Sequence, residues 1–203
     1  MYNRTIILRD RRTVNKVARY VSAVGNAPIV AAAVFSLLIT FTRSTLFHLG
    51  IAIVFATVVP LALLFFLARR RIIPDLYASD RESRAIAFVG VLASYFLGGV
   101  ALGLTRAMPI VTGLMLCYFV NGFIAMLISL KWKISVHAWG ITGPLTSLIF
   151  QFGLLLSPIW LLVVPVGWAR LELKAHSLSQ ILAGAMIAIP LTWFQLVVYT
   201  AIL

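Results

Sequence analysis

Long runs of apolar residues alternate with short polar segments along the whole chain. A helix needs about 20 mainly apolar residues to cross the hydrocarbon core of a bilayer, which is about 30 Å thick. The alternation therefore predicts an all-α integral membrane protein, a polytopic bundle of six or seven transmembrane helices. The predicted spans are residues 21–41, 48–67, 85–104, 108–130, 139–156, 159–168 and 178–203. The sixth of these is too short to cross unaided, unless flanking residues extend it or the membrane thins.

The composition agrees with this class. Hydrophobic residues make up 62% of the 203 residues and charged residues only 11%, whereas soluble domains carry about 25% charged residues. We predict one membrane domain, residues 1–203, because no linker, internal repeat or low-complexity tract divides the chain. The single cysteine, Cys117, lies in an apolar run and excludes a disulfide within the chain. The first 19 residues are basic and polar and lack the apolar core of a cleavable signal peptide.

The net charge of +12 arises from 17 Lys and Arg residues against 5 Asp and Glu residues. In a soluble protein this excess of basic residues would indicate a nucleic-acid partner. Here the charges lie between apolar runs, so we expect no nucleic-acid partner. With the N-terminus in the cytoplasm, 15 of the 17 basic residues lie in cytoplasmic segments. These segments are the basic N-terminal segment 1–19 and the polar loops 69–84, 131–138 and 168–177.

This distribution follows the positive-inside rule and predicts a cytoplasmic-type membrane, inner or plasma, with the N-terminus in the cytoplasm. It also places all three polar loops on the cytoplasmic face, provided that the sixth segment crosses. Three separate segments can then form one site at that face. Segment 1–19 has two interpretations, a basic anchor that sets the topology and an amphipathic helix that lies on the membrane surface.

The loop 168–177 and the residues after it carry the chemistry of a phosphate site. Arg170 and Lys174 are cations, and His176 adds an imidazole at the predicted membrane boundary. Gln180 follows His176 by four positions, so the two side chains share a face if the segment is helical. The other two loops contribute Ser135, His137, Arg81 and Arg84. Each residue alone is explained as well by a topology signal or an interfacial hydrogen bond, and only the joint pattern favours a site.

In their order along the chain, these residues resemble the three motifs of the type 2 phosphatidic acid phosphatases. This family is the membrane branch of the superfamily that includes the vanadium haloperoxidases, and its motifs are Lys-x6-Arg-Pro, Pro-Ser-Gly-His and Ser-Arg-x5-His-x3-Asp. The third motif is matched by Ala169-Arg170, five residues, His176, three residues and Gln180. The second is matched by Ile134-Ser135-Val136-His137, and the first loosely by Arg81 and Arg84.

The resemblance implies a lipid phosphate phosphohydrolase that needs neither metal nor cofactor. Its substrate would be a lipid phosphate or an isoprenoid phosphate or diphosphate, taken from among the membrane lipids. His176 would be the nucleophile that forms a phosphohistidine, since a neutral imidazole is available at cytoplasmic pH. His137 would be the general acid for the leaving oxygen, and Gln180 would orient the ring of His176. The groups that would bind the phosphoryl oxygens are Arg170, Arg84, Arg81, Ser135 and Lys174.

Several positions depart from the family pattern. Gln180 stands where the family has Asp, so it can orient the imidazole through its carbonyl oxygen but brings no negative charge. Val136 replaces the glycine that lets the backbone approach phosphate closely. The other departures are Ile134 for Pro, Ala169 for Ser, Ala85 for Pro, and Tyr77 at the Lys position. Three hypotheses follow: a phosphatase, a non-catalytic lipid-phosphate binder or transporter on the same fold, and a structural membrane subunit.

Overall fold

The computed structural model describes residues 2–73 and 81–203, with side chains for residues 12–73 and from residue 85 onward. All regular structure in these ranges is helical. The helices are α1 Tyr2–Val24, α2 Ala27–Thr40, α3 Leu46–Ile53, α4 Val59–Arg69, α5 Arg81–Leu104, α6 Pro109–Ser129, α7 Val136–Phe152, α8 Val163–Glu172 and α9 Leu178–Ile202. A π-helical segment, Val54–Val58, joins α3 to α4, and a 3₁₀ segment, Leu154–Leu162, leads into α8.

Within the described ranges, five helical segments are long and apolar enough to cross a membrane. They are Leu46–Arg69, Ala85–Leu104, Pro109–Ser129, Leu154–Glu172 and Leu178–Ile202. The end of α1, from Arg12 to Val24, and α2 add a sixth if they form one span, although they are bent by 50°. The predicted class, a helical protein with several membrane-compatible apolar helices, is therefore confirmed. The number of six or seven spans stays a prediction.

The predicted first span, 21–41, is not one continuous helix. Pro28 lies in the first turn of α2, where its missing N–H is tolerated, whereas within a continuous helix it would remove a hydrogen bond and clash with the preceding turn. The carbonyl of Asn26 accepts from the backbone N–H groups of Ile29 and Val30, at 3.0 Å each. The helix therefore starts anew at this point, and α1 ends as a separate element.

The polar loops are shorter than predicted, because helices extend into each of them. The helix α5 begins at Arg81, so the last four residues of loop 69–84 form its first turn. The helix α7 begins at Val136, and α8 continues through Glu172. Of the predicted loop 69–84, residues 74–80 lie outside the described residues.

The sixth predicted span, 159–168, is longer than its apolar run suggested. The helix α7 ends at Gly153, whose φ of 104° lies in the left-handed region that favours glycine, and the 3₁₀ segment begins directly after it. A 3₁₀ helix rises about 2.0 Å per residue against 1.5 Å in an α-helix, so Leu154–Glu172 extends over about 33 Å. Flanking residues thus extend the predicted span to a length that suffices for a bilayer core of about 30 Å.

The helix α7 forms the centre of the bundle and is buried from His137 to Ile149. The helices α2, α6, α8 and α9 and the 3₁₀ segment pack around it. Its hydroxyl groups are satisfied locally, since Thr142 and Thr146 donate to carbonyls one turn earlier at 3.0 and 2.7 Å. Large apolar side chains such as Phe65 and Phe194 are exposed on the outer helices, as expected for surfaces in contact with lipid tails.

Candidate phosphate site at the N-termini of α7 and α9

The second and third predicted motifs meet where the N-termini of α7 and α9 lie side by side. Ser135 is fully buried and caps α7, its Oγ accepting from the backbone N–H of Ala138 at 3.4 Å. The backbone N–H of Ser135 donates to the carbonyl of Gln180 in α9 at 3.2 Å. A Cβ on Gly184 would lie 2.6 Å from the carbonyl oxygen of Ser135, so this close approach requires glycine.

The turn between α8 and α9 fixes the backbone of the third motif. The carbonyl of Arg170 accepts from the N–H groups of Ala175 and His176, at 3.0 and 3.4 Å. Lys174 N–H donates to the carbonyl of Leu171, and Lys174 has a φ of 51°. This is a Schellman turn with lysine at the position where glycine is usual. It holds His176 next to the backbone of Arg170 and leaves the Lys174 side chain exposed.

Gln180 has two roles at the start of α9. Ser177 and Gln180 form a capping box, in which Gln180 Oε1 accepts from Ser177 N–H at 3.1 Å. The same oxygen lies 3.1 Å from Nδ1 of His176. Because the backbone donor identifies this atom as the amide oxygen, Nδ1 of His176 must carry the proton. The neutral ring then has its lone pair at Nε2; the structure shows the contact of the ring with the glutamine carbonyl, and its role in a reaction stays a prediction.

Arg170 is buried, with 6% of its surface exposed, and its side chain extends towards α1. Its Nη1 donates to Oγ of the fully buried Ser22 at 2.9 Å. The two helices are in close contact nearby, since a Cβ on Gly25 would lie 2.4 Å from a methyl group of Val166. A buried guanidinium requires hydrogen-bond partners, so the predicted phosphate ligand also joins α1 to α8. Sequence reasoning missed Ser22, since nothing in its local sequence marks it.

His137 lies in the first turn of α7 and is buried. The free N–H groups and the dipoles of α7 and α9 give this end of the bundle a positive potential. Lys131, Lys133 and Lys174 increase it. Glu172, which is exposed, is the single acidic residue among the side chains that the structure describes. This end of the molecule is thus suited to anions.

The backbone of the first motif lies at the same end of the bundle. Gly99 packs against Leu116 and Gly122 against Leu92, so α5 and α6 are antiparallel. The first turn of α5 therefore lies beside the end of α6, close in level to the loop before α7. The side chains of Arg81 and Arg84 are outside the described residues, and their role as phosphate ligands stays a prediction.

Within the described residues, no group of three or more His, Cys, Asp or Glu side chains is placed to hold a metal ion. Comparison of the chain with protein-family models, with curated proteins and with solved structures finds no match. The molecule is therefore characterised by its own geometry: a bundle of apolar helices with a basic, histidine-bearing end.

Proposed function

We propose that the protein is a membrane phosphatase that hydrolyses a lipid phosphate or an isoprenoid phosphate or diphosphate through a phosphohistidine at His176. The observation that carries this proposal is the 3.1 Å contact between His176 Nδ1 and Gln180 Oε1. It leaves the lone pair of the neutral ring on Nε2, the form that a nucleophile requires. The backbone of His176 lies next to that of Arg170 and directly before Ser177, the N-cap of α9.

In the proposed reaction, the Nε2 lone pair of His176 attacks phosphorus and the bond from phosphorus to the lipid oxygen breaks. His137 donates a proton to that oxygen, so the lipid leaves as an alcohol for a monophosphate substrate. Water then attacks the phosphohistidine while His137 accepts a proton, and inorganic phosphate leaves. General acid–base assistance of this kind is worth about 10²–10⁴ in rate.

Binding of the phosphoryl group is assigned to the positive end of the bundle. Arg170, Lys174 and Ser135 are proposed ligands of its oxygens, with Arg81 and Arg84 from the first turn of α5. The N-termini of α7 and α9 contribute fixed partial charges at no cost in reorganisation. Gln180 stabilises the imidazolium formed during attack less than a carboxylate would, so we expect a slow enzyme.

A non-catalytic lipid-phosphate binder or transporter is the second candidate. Two observations favour it, the neutral amide at Gln180 and the hydrogen bond that draws Arg170 towards Ser22. In this case the same cations would hold a lipid phosphate without cleaving it. Under both candidates we propose that the N-terminus and the site face the cytoplasm, as the positions of the basic residues predict.

The test is inorganic phosphate release by the purified full-length protein in detergent. The substrates are phosphatidic acid, phosphatidylglycerophosphate, and prenyl mono- and diphosphates. His176→Gln is the test variant, and His48→Gln, at the opposite end of the bundle, is the matched control. We expect release by the wild type and the control, and loss of at least about 10³-fold in His176→Gln, because the nucleophile is gone.

Release that survives in His176→Gln would overturn the phosphohistidine mechanism. Lack of release from every substrate, with the same lipids still raising the thermal unfolding temperature, would favour the binder or transporter. If the protein neither releases phosphate nor binds these lipids, the structural membrane subunit is the remaining hypothesis.

A further inference from the structure

The part of α1 with described side chains, Arg12–Val24, presents three stripes of residues that differ in chemistry. The first stripe faces the bundle. Ala18 and Ser22 are fully buried, and Gly25, directly after the helix, continues this stripe. Positions spaced by four and three residues lie on one face of a helix. The other faces of α1 are therefore turned away from the bundle.

The second stripe is basic. It consists of Arg12, Lys16 and Arg19, which are again spaced by four and three residues and are all exposed. Residues 12–24 contain no Asp or Glu that could neutralise these cations. Seven residues of α-helix correspond to about 10 Å, so the charges of the basic stripe lie within roughly that length. Such a cluster of exposed cations attracts a surface that carries several negative charges.

The third stripe is apolar. It consists of Val17, Tyr20 and Val24, which are 48%, 73% and 49% exposed. Val17 and Tyr20 each directly follow a residue of the basic stripe, so the two stripes are about 100° apart around the helix. Helices at the boundary between lipid headgroups and acyl chains have this pattern, with the apolar face in the acyl region and Lys and Arg at the headgroups. The exposed faces of α1 are thus suited to the surface of a bilayer.

The packing of α1 against α8 places the basic stripe beyond the end of α8. Arg170 Nη1 donates to Ser22 Oγ at 2.9 Å, and a Cβ on Gly25 would lie 2.4 Å from a methyl group of Val166. A step backwards along α1 corresponds to a step forwards along α8, so the two helices are antiparallel. Because α8 ends at Glu172, the part of α1 before Ser22 extends past it at the basic end of the bundle.

The bend between α1 and α2 gives α1 a direction of its own. The two helices are bent by 50° between Val24 and Ala27. Membrane-spanning helices are tilted by about 20° from the bilayer normal on average, so a further bend of this size inclines α1 towards the membrane plane. The residues before Val21 then lie along the headgroup layer, and the last turn of α1 enters the predicted span 21–41.

These two stripes fit an anionic lipid surface better than an acidic protein. A bilayer presents phosphate groups and an acyl region side by side along one plane, which matches adjacent basic and apolar stripes. An anionic membrane surface favours each nearby Lys or Arg about fivefold. A zwitterionic surface carries no net charge and lacks this attraction.

We propose that Arg12–Tyr20 is a docking surface for anionic phospholipids. Their phosphate groups contact the basic stripe, while the apolar stripe lies at the boundary of the acyl region. This lipid is a bound partner and not a substrate, and no residue of either stripe belongs to the candidate phosphate site. The inference therefore does not rest on the proposed function. Of the two interpretations of segment 1–19, it selects the interfacial helix for residues 12–19.

Fluorescence quenching by lipids, measured on the full-length protein in vesicles, tests the proposal. The fluorophore NBD is attached to Ala23→Cys, an exposed position next to the basic stripe, whereas the native Cys117 is buried. The quencher is nitroxide-labelled phosphatidylglycerol or nitroxide-labelled phosphatidylcholine with the same acyl chains. The ratio of the two quenching curves gives the preference for the anionic lipid next to α1.

The test variant removes all three cations of the basic stripe: Arg12→Gln, Lys16→Gln and Arg19→Gln. The matched control removes the same charge from exposed arginines at the end of α4: Arg69→Gln, Arg70→Gln and Arg71→Gln. Thermal unfolding temperatures equal to that of the wild type show that both variants are folded. The single variant Lys16→Gln serves the same purpose if the test variant does not fold.

We expect phosphatidylglycerol to be preferred at least about 5-fold over phosphatidylcholine next to α1 in the wild type. The test variant should lose this preference, with a decrease of about 5-fold in Lys16→Gln, and the matched control should keep it within about twofold. His176→Gln should keep it as well, so failure of the phosphatase does not affect the result. Absence of a preference in the wild type overturns the proposal. Equal loss in the test variant and the matched control also overturns it and assigns the preference to the overall charge of this end.

The orientation of α1 is tested by moving the fluorophore. Val17 belongs to the apolar stripe, and the exposed Asn15 lies two residues earlier, about 160° away around the helix. A nitroxide on the acyl chain should quench NBD at Val17→Cys more strongly than NBD at Asn15→Cys. Equal quenching at the two positions contradicts the interfacial orientation. Lack of quenching at both positions overturns the proposal and indicates that protein, such as a second copy of the chain, covers this face.

Discussion

Two histidines at opposite ends of the bundle each lie beside the start of a helix, and they differ in the nitrogen that carries the proton. Nδ1 of His48 accepts from the backbone N–H of Thr45 at 3.1 Å, so its proton is on Nε2, which donates to the carbonyl of Thr105 at 3.1 Å. His176 has the opposite tautomer, because its Nδ1 donates to Gln180. His48 is 8% exposed, whereas His176 is partly exposed.

The comparison shows how a helix cap decides what a histidine can do. Both ring nitrogens of His48 tie the start of α3 to the turn after α5, so its lone pair is occupied by a backbone donor. In His176, Nδ1 donates to the side-chain oxygen of Gln180 in the capping box of α9. The lone pair is therefore on Nε2, at the far side of the ring. The surrounding charge differs as well, since Arg43 and Arg106 are the only basic residues outside the predicted cytoplasmic segments.

After the loss of the nucleophile in His176→Gln, the largest effect is expected from substitution of Arg170. Arg170→Gln should lower kcat/KM for the best substrate about 100-fold or more, since removal of one fixed donor to a transition-state oxyanion costs about 10²–10³. Arg106→Gln changes an exposed cation at the opposite end and should keep activity within about twofold. Phosphate release at varied substrate concentration measures both.

Ser22→Ala separates the phosphate-binding role of Arg170 from its structural one. This variant keeps the guanidinium and removes its bond to α1, so we expect a loss of stability of about 1.5–3 kcal/mol, as for a hydrogen bond to a charged group, with activity retained. An equal loss of kcat/KM in Ser22→Ala and Arg170→Gln would show that Arg170 acts by joining α1 to α8.

The contact between the two helix starts depends on Gly184. In Gly184→Ala the new Cβ would lie 2.6 Å from a backbone oxygen of Ser135, so α9 or the loop must move. We expect the free energy of unfolding to fall by about 1–3 kcal/mol, measured by thermal unfolding in detergent. In the control variant Gly50→Ala, the new Cβ has no neighbouring atom within 4 Å, so the free energy of unfolding should not fall. Equal unfolding temperatures for the two variants would contradict the close packing.

Substitution of Gln180 should change the rate of phosphate release less than substitution of Arg170. Gln180→Ala removes the acceptor of His176 Nδ1, and we expect kcat to fall about 10-fold, as for one lost hydrogen bond. Gln180→Glu keeps the capping box and adds a charge, so we expect a higher kcat. A carboxylate favours the imidazolium and raises the pKa of His176, so the acidic limb of kcat/KM should move to higher pH. Unchanged kcat and pH profile in Gln180→Glu would refute this role.

The smallest effect is expected from the cap at the opposite end. Thr45→Ala should cost about 1 kcal/mol in the free energy of unfolding and leave phosphate release unchanged. Ser177→Ala removes the equivalent cap of α9 at a similar cost in stability. Because the Ser177 side chain caps the turn that carries Gln180, this variant should also lower activity. If both variants lower phosphate release equally, the contrast between the two ends is wrong.

Local sequence determined the class of the molecule and most of its helices. Apolar runs of membrane length, separated by basic segments, require helices because backbone polar groups must be satisfied within each segment in lipid. The capping box of α9 was also readable, since Ser177-x-x-Gln180 precedes an apolar run, although it was not used in the prediction. His176 and Gln180 are in contact, but not through the helical face considered for them: His176 precedes α9, and the capping turn at Ser177 brings the two side chains together.

Only the tertiary structure decided which distant segments complete the site. The bond from Arg170 to Ser22 joins residues 148 positions apart, and the bond from Ser135 to Gln180 depends on the absence of a side chain at Gly184. A mainly apolar cavity inside the bundle is likewise lined by residues of several helices, among them Tyr118 of α6 and Trp139 of α7. Hydrophobic periodicity reports which face of a helix avoids water, but the partner of that face follows from close packing of the whole bundle.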